Sequence, residues 1–127
     1  MPANYDELAP GHEFPPVEYS LDEGIVASYV AAVGAHRRDH VPPLAVAARA
    51  IASLGGLIAL QPGTIHAAQD FEFSRLVPVG ARVCCKAKVL RKLSRGPMRM
   101  LVLEMAITDE SGELVQNGRS TIVLPEA

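Results

Sequence analysis

Tryptophan is absent from this 127-residue chain, and its aromatic rings are limited to three phenylalanines and three tyrosines. A core without large rings has to be assembled from Ala, Val, Leu and Ile, whose small volumes suit close approach of a helix to a sheet. Cysteine is nearly absent as well. Cys84 and Cys85 are adjacent, and successive residues of one strand point to opposite faces, so the two do not readily pair. With no disulfide framework, a reduced, cytoplasmic location is the expectation. An excess of either charge is also lacking. A net charge of −2 argues against nucleic acid, whose binding needs a basic face. Long apolar runs are missing too. The longest, Leu44 to Leu60, is broken by Arg49, Ser53 and glycines and falls short of the ~18 residues of a membrane span. The opening "MPANYDELAPGHEF" is acidic, without a basic start or an apolar stretch, so no signal peptide is expected. Metal-ligand spacings, Gly-rich phosphate loops and internal repeats are not found, and neither a metal nor a cofactor is expected. The length fits one domain, residues 1–127.

What is present is an ordered change of period. Gly11 to Tyr19 carries Phe14, Val17 and Tyr19 but also Pro15 and Pro16, which confine it to an edge strand or an extended lead-in. "SLDE" then reads as a capping box, with Ser20 as N-cap and Glu23 three residues on. The helix behind it runs to about Val33 on a stripe of Ile25, Val26, Tyr29, Val30 and Val33, and Gly34 ends it. A second helix starts at Pro42 or Pro43. From Leu44 to Leu60 only Arg49 and Ser53, spaced i, i+4, interrupt its apolar surface, so it is expected to be buried nearly all round. Its many alanines and its Gly55–Gly56 pair make it thin.

Beyond "QPGT" the period becomes two. Ile65, Ala67, Gln69, Phe71 and Phe73 fall on one face, with His66, Ala68, Asp70 and Glu72 on the other. "PVG" turns the chain at Pro78–Gly80, and strands follow over 81–93, 98–108 and 113–124, joined by "SRGP" and "DESG". Four antiparallel strands in a meander, curved round one buried helix, is the α+β arrangement this order implies.

That layout resembles the hot-dog fold, with 44–60 as its central helix. The stretch "GTIHAAQDFEFSRLVPVGARV", Gly63 to Val83, is similar to the "G-T-I", F-x-F and "R-P-V-x-x-G-D" run of the MaoC-like dehydratase family. That family includes the (R)-specific enoyl-CoA hydratases. Arg75 and Gly80 keep their places, whereas Ala81 replaces an aspartate. "YVAAVG", Tyr29 to Gly34, resembles the family's "F-A-x-x-S-G-D" helix end. Active members carry an aspartate after that glycine and a histidine five residues later. Here the aspartate position is Ala35 and the histidine position is His40, preceded by Asp39. About fifteen residues between that pair and the central helix are missing. "VPPLAV" stands in their place and is similar to the "A-P-P-T" opening of the catalytically silent halves of the family.

The resemblance implies a hydratase or dehydratase acting on enoyl-CoA or 3-hydroxyacyl-CoA. His40 is then the general acid/base, and Asp39 its helper. Histidine suits the role because it takes and returns protons near neutral pH. The enolate that forms needs hydrogen-bond donors at the thioester carbonyl. Pro42 and Pro43 lack N–H groups, which leaves Leu44 and Ala45 at the helix start. Gln69, polar on an apolar strand face, needs a partner. The cluster Arg91, Lys92, Arg95 and Arg99 is positioned to meet the phosphates of coenzyme A or a carrier protein. The implied partners are therefore an acyl-CoA or acyl-carrier-protein thioester and a second copy in a homodimer. Two rivals remain: a non-catalytic thioester-binding or scaffold subunit, favoured by Ala35 and the short bridge, and an acyl-CoA thioesterase. The last would need a carboxylate beside the central helix, and 44–60 contains none.

Overall fold

Val83, Cys85, Ala87 and Val89 alternate with Cys84, Lys86 and Lys88, and the first four are all buried. Such period-two burial marks a strand with one face on the core. The computed structural model describes residues 3–33 and 40–125. Within them lie β1 (Val17–Ser20), α1 (Glu23–Val33), α2 (Pro43–Ser53), β2 (Ile65–Phe73), β3 (Arg82–Arg95), β4 (Met98–Thr108) and β5 (Leu114–Leu124). The strands form one antiparallel sheet in the order β1-β3-β4-β5-β2. Its inner face carries Leu101, Leu103, Met105, Ile107, Ile122 and Leu124 and packs on Ala45, Val46, Ala50 and Leu54 of the α2 region.

Three expectations are corrected here. The meander covers only β3, β4 and β5, because β2 pairs with β5 on the far side. A tight turn would have kept β2 beside β3. Instead the eight residues 74–81 cross the end of the sheet and are pinned along their length. Val41 N–H donates to Val77 O (2.8 Å), Leu21 N–H to Ala81 O (2.8 Å), and Ser74 N–H to Val115 O (2.9 Å). Arg75 anchors the same segment by pairing with Asp109 and Glu113 at the β4–β5 turn.

The second correction concerns the cap of α1. Ser20 is the last residue of β1, held in register with Arg82, so its backbone is committed to the sheet. Asp22 takes the capping role, its Oδ1 accepting from Ile25 N–H at 2.9 Å. Replacing Asp22 with alanine should therefore lower stability by about 0.5–2 kcal/mol, while Ser20→Ala should not; urea unfolding of both variants checks this.

The third concerns α2 itself. Ala45, Val46, Ala47 and Ala50 are buried, but Leu44, Ala48, Arg49 and Ala52 are exposed, so the sheet covers one side of the helix and leaves the other open. The helix also ends earlier than the apolar run, passing at Leu54–Gly56 into a 3₁₀ turn.

The acidic N-terminal segment contributes to the core beyond its sequence pattern. Tyr5, Leu8 and Phe14 are buried, and Gly11, His12 and Phe14 extend the β1 edge by backbone bonds to Val89 and Ala87 of β3.

On the inner face beneath α2, Cys85 lies beside Tyr19. Burial pushes the Cys85 thiol from 9.0 up to about 11, with the Ser53 hydrogen bond acting in the opposite direction. Burial likewise raises the Tyr19 hydroxyl above its ordinary value. A group whose value is raised in the folded state supports folding below its unfolded value and loses that support as pH climbs through the raised one. Stability should therefore fall as pH rises from about 9 to about 11, and Cys85→Ser should flatten that slope in a pH series of thermal melts.

Candidate functional site

The sequence places His40 three residues ahead of α2, and the structure fixes it there through its backbone. His40 bridges Pro78 of the crossover segment, and Val41, buried next to it, bonds Val77. The imidazole is exposed and makes no hydrogen bond or ion pair with any of the described residues. Ala35 and Asp39 lie outside the described residues, so the helper role given to Asp39 stays with the proposal below.

The first turn of α2 follows directly. Pro42 is its N-cap and Pro43 its first residue. Ala45 N–H is already engaged by Pro42 O at 2.9 Å, and its side chain is buried. Among the described residues this leaves the N–H of Leu44 as the unpaired donor of the turn. Leu44 is also 59 % exposed. A free amide at the positive end of a helix is suited to an oxygen on which negative charge develops.

Behind this turn stands a residue that reading the sequence missed. Gln116 is 1 % exposed, and its Nε2 donates to Pro43 O at 2.7 Å. The side chain ties strand β5 to the start of the helix. Its Oε1 is buried without a hydrogen-bond partner among the described residues. Counting back by two from Ile122 and Leu124 puts Ser120, Gly118 and Gln116 on the core face. That polar intrusion was the available signal.

Gln69 lies on the same sheet face, opposite Ser120. Ser120 and Gln116 are four residues apart on β5, roughly 13 Å along the strand. Ser120, fully buried, donates to Gln69 Oε1. His66 Nε2 donates to the same oxygen at 2.9 Å, and Gln69 Nε2 reaches Asp70 O at 2.9 Å. Neither α2 nor another copy is needed to satisfy Gln69.

The His66–Gln69 contact corrects the expected alternation of β2. The register breaks between His66 and Ala68, where both pair with successive residues Ile122 and Thr121 while Ala67 opposes nothing. One extra residue in a strand swaps the faces on either side of it. His66 therefore shares the inner face with Gln69, Phe71 and Phe73, and Ile65 turns to the outer one.

Arg95 sits at the tip of the β3–β4 hairpin, exposed. His40 is tied to the opposite end of the sheet through Pro78, four residues before β3 begins. The 14-residue strand β3 spans roughly 40 Å, so one copy of the chain does not bring Arg95 to His40. Half of the basic cluster is also occupied internally. Lys92 Nζ donates to Leu8 O (2.9 Å) and lies 4.4 Å from the Tyr5 ring, while Arg99 donates to Pro125 O. Arg91 and Arg95 stay exposed.

The described residues hold no group of three or more His, Cys, Asp or Glu side chains arranged for a metal ion. No helix among them is long and apolar enough to cross a membrane.

No protein-family model matches the sequence, and no curated protein matches it. Solved structures do match. The chain is similar to the unliganded (R)-hydratase PhaJ1 of Pseudomonas aeruginosa, with a TM-score of 0.83 at 21% identity over 97% of this chain and 86% of that one. It is similar to a MaoC-like dehydratase of Rhodospirillum rubrum, with a TM-score of 0.76 at 16% identity over 96% of both. A third similarity is to the (3R)-hydroxyacyl-ACP dehydratase complex HadBC of Mycobacterium tuberculosis, with a TM-score of 0.73 at 17% identity over 90% of this chain and 96% of that one. The α+β fold of this chain is the hot-dog fold shared by these proteins.

Proposed function

We propose that this chain is a MaoC-like acyl-thioester hydratase/dehydratase that works as a dimer on enoyl-CoA or 3-hydroxyacyl-CoA, or on their carrier-protein equivalents. The observation that carries this reading is that the backbone holds His40 three residues ahead of α2, whose first turn bears the unpaired Leu44 N–H, in a fold shared with (R)-hydratases. In the hydration direction, His40 takes a proton from water, and the oxygen adds to C3 of the enoyl thioester. Electron density moves to the thioester carbonyl oxygen, where the Leu44 N–H meets the developing charge. The enolate collapses by taking a proton at C2, which His40 returns. Dehydration reverses these steps, with loss of the C3 hydroxyl as water. Asp39 adjoins His40 in sequence and is assigned to orienting it.

Substrate cover is assigned to the second copy. β2 is an edge strand, and its exposed apolar side chains include Ile65 at 59 % and Phe73 at 48 %. An edge of that kind invites pairing with another strand, and a two-fold interface uses the same patch on both copies. Phe73→Asp should therefore shift the sedimenting species from dimer to monomer at micromolar concentration. A dimer that persists in the variant removes β2 from the interface.

One observation favours the non-catalytic reading. Ala35 stands where active hydratases resembling this chain have their aspartate, and the His40 side chain has no carboxylate partner among the described residues. The HadBC structure is that of a complex, and a scaffold subunit paired with an active one would need no dyad. Hydration of crotonyl-CoA by the purified chain, alone and with any co-purifying partner, separates the two readings. Turnover by the chain alone supports the enzyme; turnover only with a partner supports the scaffold.

A further inference from the structure

Arg49 and Ser53 are the only polar residues of the run 44–60, and the proposed reaction uses neither. Both line a cavity of about 360 Å³ between the exposed side of α2 and strand β1, away from the His40 end of the helix. That volume is within the range of small-ligand pockets. Val17, Ala52 and Leu57 supply its apolar wall.

The polar groups of the cavity are unbalanced in one direction. The Arg49 guanidinium lies 5.8 Å from the centroid of the Tyr19 ring and pairs with no carboxylate among the described residues. The one acidic residue of the lining, Glu18, is committed to Arg82 at 3.3 Å. Tyr19 OH is shut off from water and has no hydrogen-bond partner among the described residues. Burial keeps that hydroxyl protonated, so it is a donor without an acceptor. Ser53 Oγ already donates to Ala50 O at 2.6 Å. The cavity thus presents one cation without a carboxylate partner, with the unused Tyr19 donor buried behind it, and no free anion.

We propose that this cavity is a second ligand site, selective for a small monocarboxylate with a short apolar tail. The carboxylate draws the Arg49 guanidinium off the Tyr19 ring and takes the tyrosine hydroxyl as its second donor, while the tail packs on Val17, Ala52 and Leu57. A single cation beside an apolar wall matches one negative charge, whereas the second charge of a phosphate would find no partner there. His40 plays no part, so the site stands or falls independently of the proposed reaction.

Hexanoate and its neutral counterpart hexanamide serve as probes, titrated calorimetrically into the full chain. Wild-type protein should bind hexanoate at one site per chain and at least tenfold more tightly than hexanamide. Arg49→Gln should weaken hexanoate at least tenfold, and Tyr19→Phe about three- to tenfold. His40→Ala should leave the affinity unchanged. Amide shifts on hexanoate addition should centre on residues 17–19 and 49–57, a readout that needs no variant to fold. Equal binding of hexanamide, undiminished affinity in Arg49→Gln, shifts centred elsewhere, or no binding by the wild type would each overturn the proposal.

Discussion

His40→Ala is expected to hydrate crotonyl-CoA about 10² to 10⁴ times more slowly than the wild-type chain, the range supplied by a positioned general acid/base. The loss should appear in kcat, because the imidazole acts on protons that move only as the reaction proceeds. Stability should hardly change. The side chain is exposed and makes no hydrogen bond, ion pair or ring contact with a described residue, and the bridge to Pro78 belongs to the backbone, which alanine preserves. A variant that melts like wild type and turns over like wild type would remove His40 from the mechanism. Asp39→Asn should cost less than His40→Ala, since an orienting group acts only through the group it orients.

Gly118→Ala is expected to destabilise the fold by about 1–3 kcal/mol, the usual penalty of overpacking. Backbone conformation is not the reason, since Gly118 is not among the positive-φ glycines. Space is. A Cβ at this position would lie 2.5 Å from Phe71 Cδ1 and 2.6 Å from the Asp70 carbonyl oxygen. The Phe71 ring can rotate aside, but the carbonyl belongs to the β2 backbone and cannot move without opening the β5–β2 ladder. Phe71→Ala in the same background should therefore recover only part of the loss, and the two substitutions should be non-additive in urea unfolding. Because β2 is also the proposed interface strand, Gly118→Ala should weaken dimerisation as well. An unchanged unfolding midpoint would mean that β2 does not approach β5 as closely as described.

The bulge at Ala67 shows why part of the site escaped the sequence. Strict alternation separates His66 from Gln69, Phe71 and Phe73, yet the hydrogen bond at 2.9 Å joins His66 to Gln69 on one face. Nothing within "IHAAQDFEF" marks which residue will be left unpaired. That choice depends on the strand opposite, where Thr121 and Ile122 take up Ala68 and His66. The same holds for Lys92. Beyond the break between Val89 and Arg91, it sits on the face of Val89 and reaches Leu8 O and the Tyr5 ring. Gln116, by contrast, was legible in principle, because the spacing back from Leu124 and Ile122 is unbroken.

Local patterning was sufficient for the element types, the two helices, the alternation of β3, β4 and β5, and the placement of His40 just ahead of the proline-started α2. Each of these rests on spacing within one segment, where side-chain periodicity and the geometry of proline act directly. Tertiary structure alone decided that β2 crosses to β5, that Asp22 caps α1, and that only one side of α2 is covered. It also set the Gln116 tie to Pro43 and the cavity under Arg49. All of these depend on which distant backbone a segment meets, and that partner is chosen by burial and hydrogen bonding across the whole sheet.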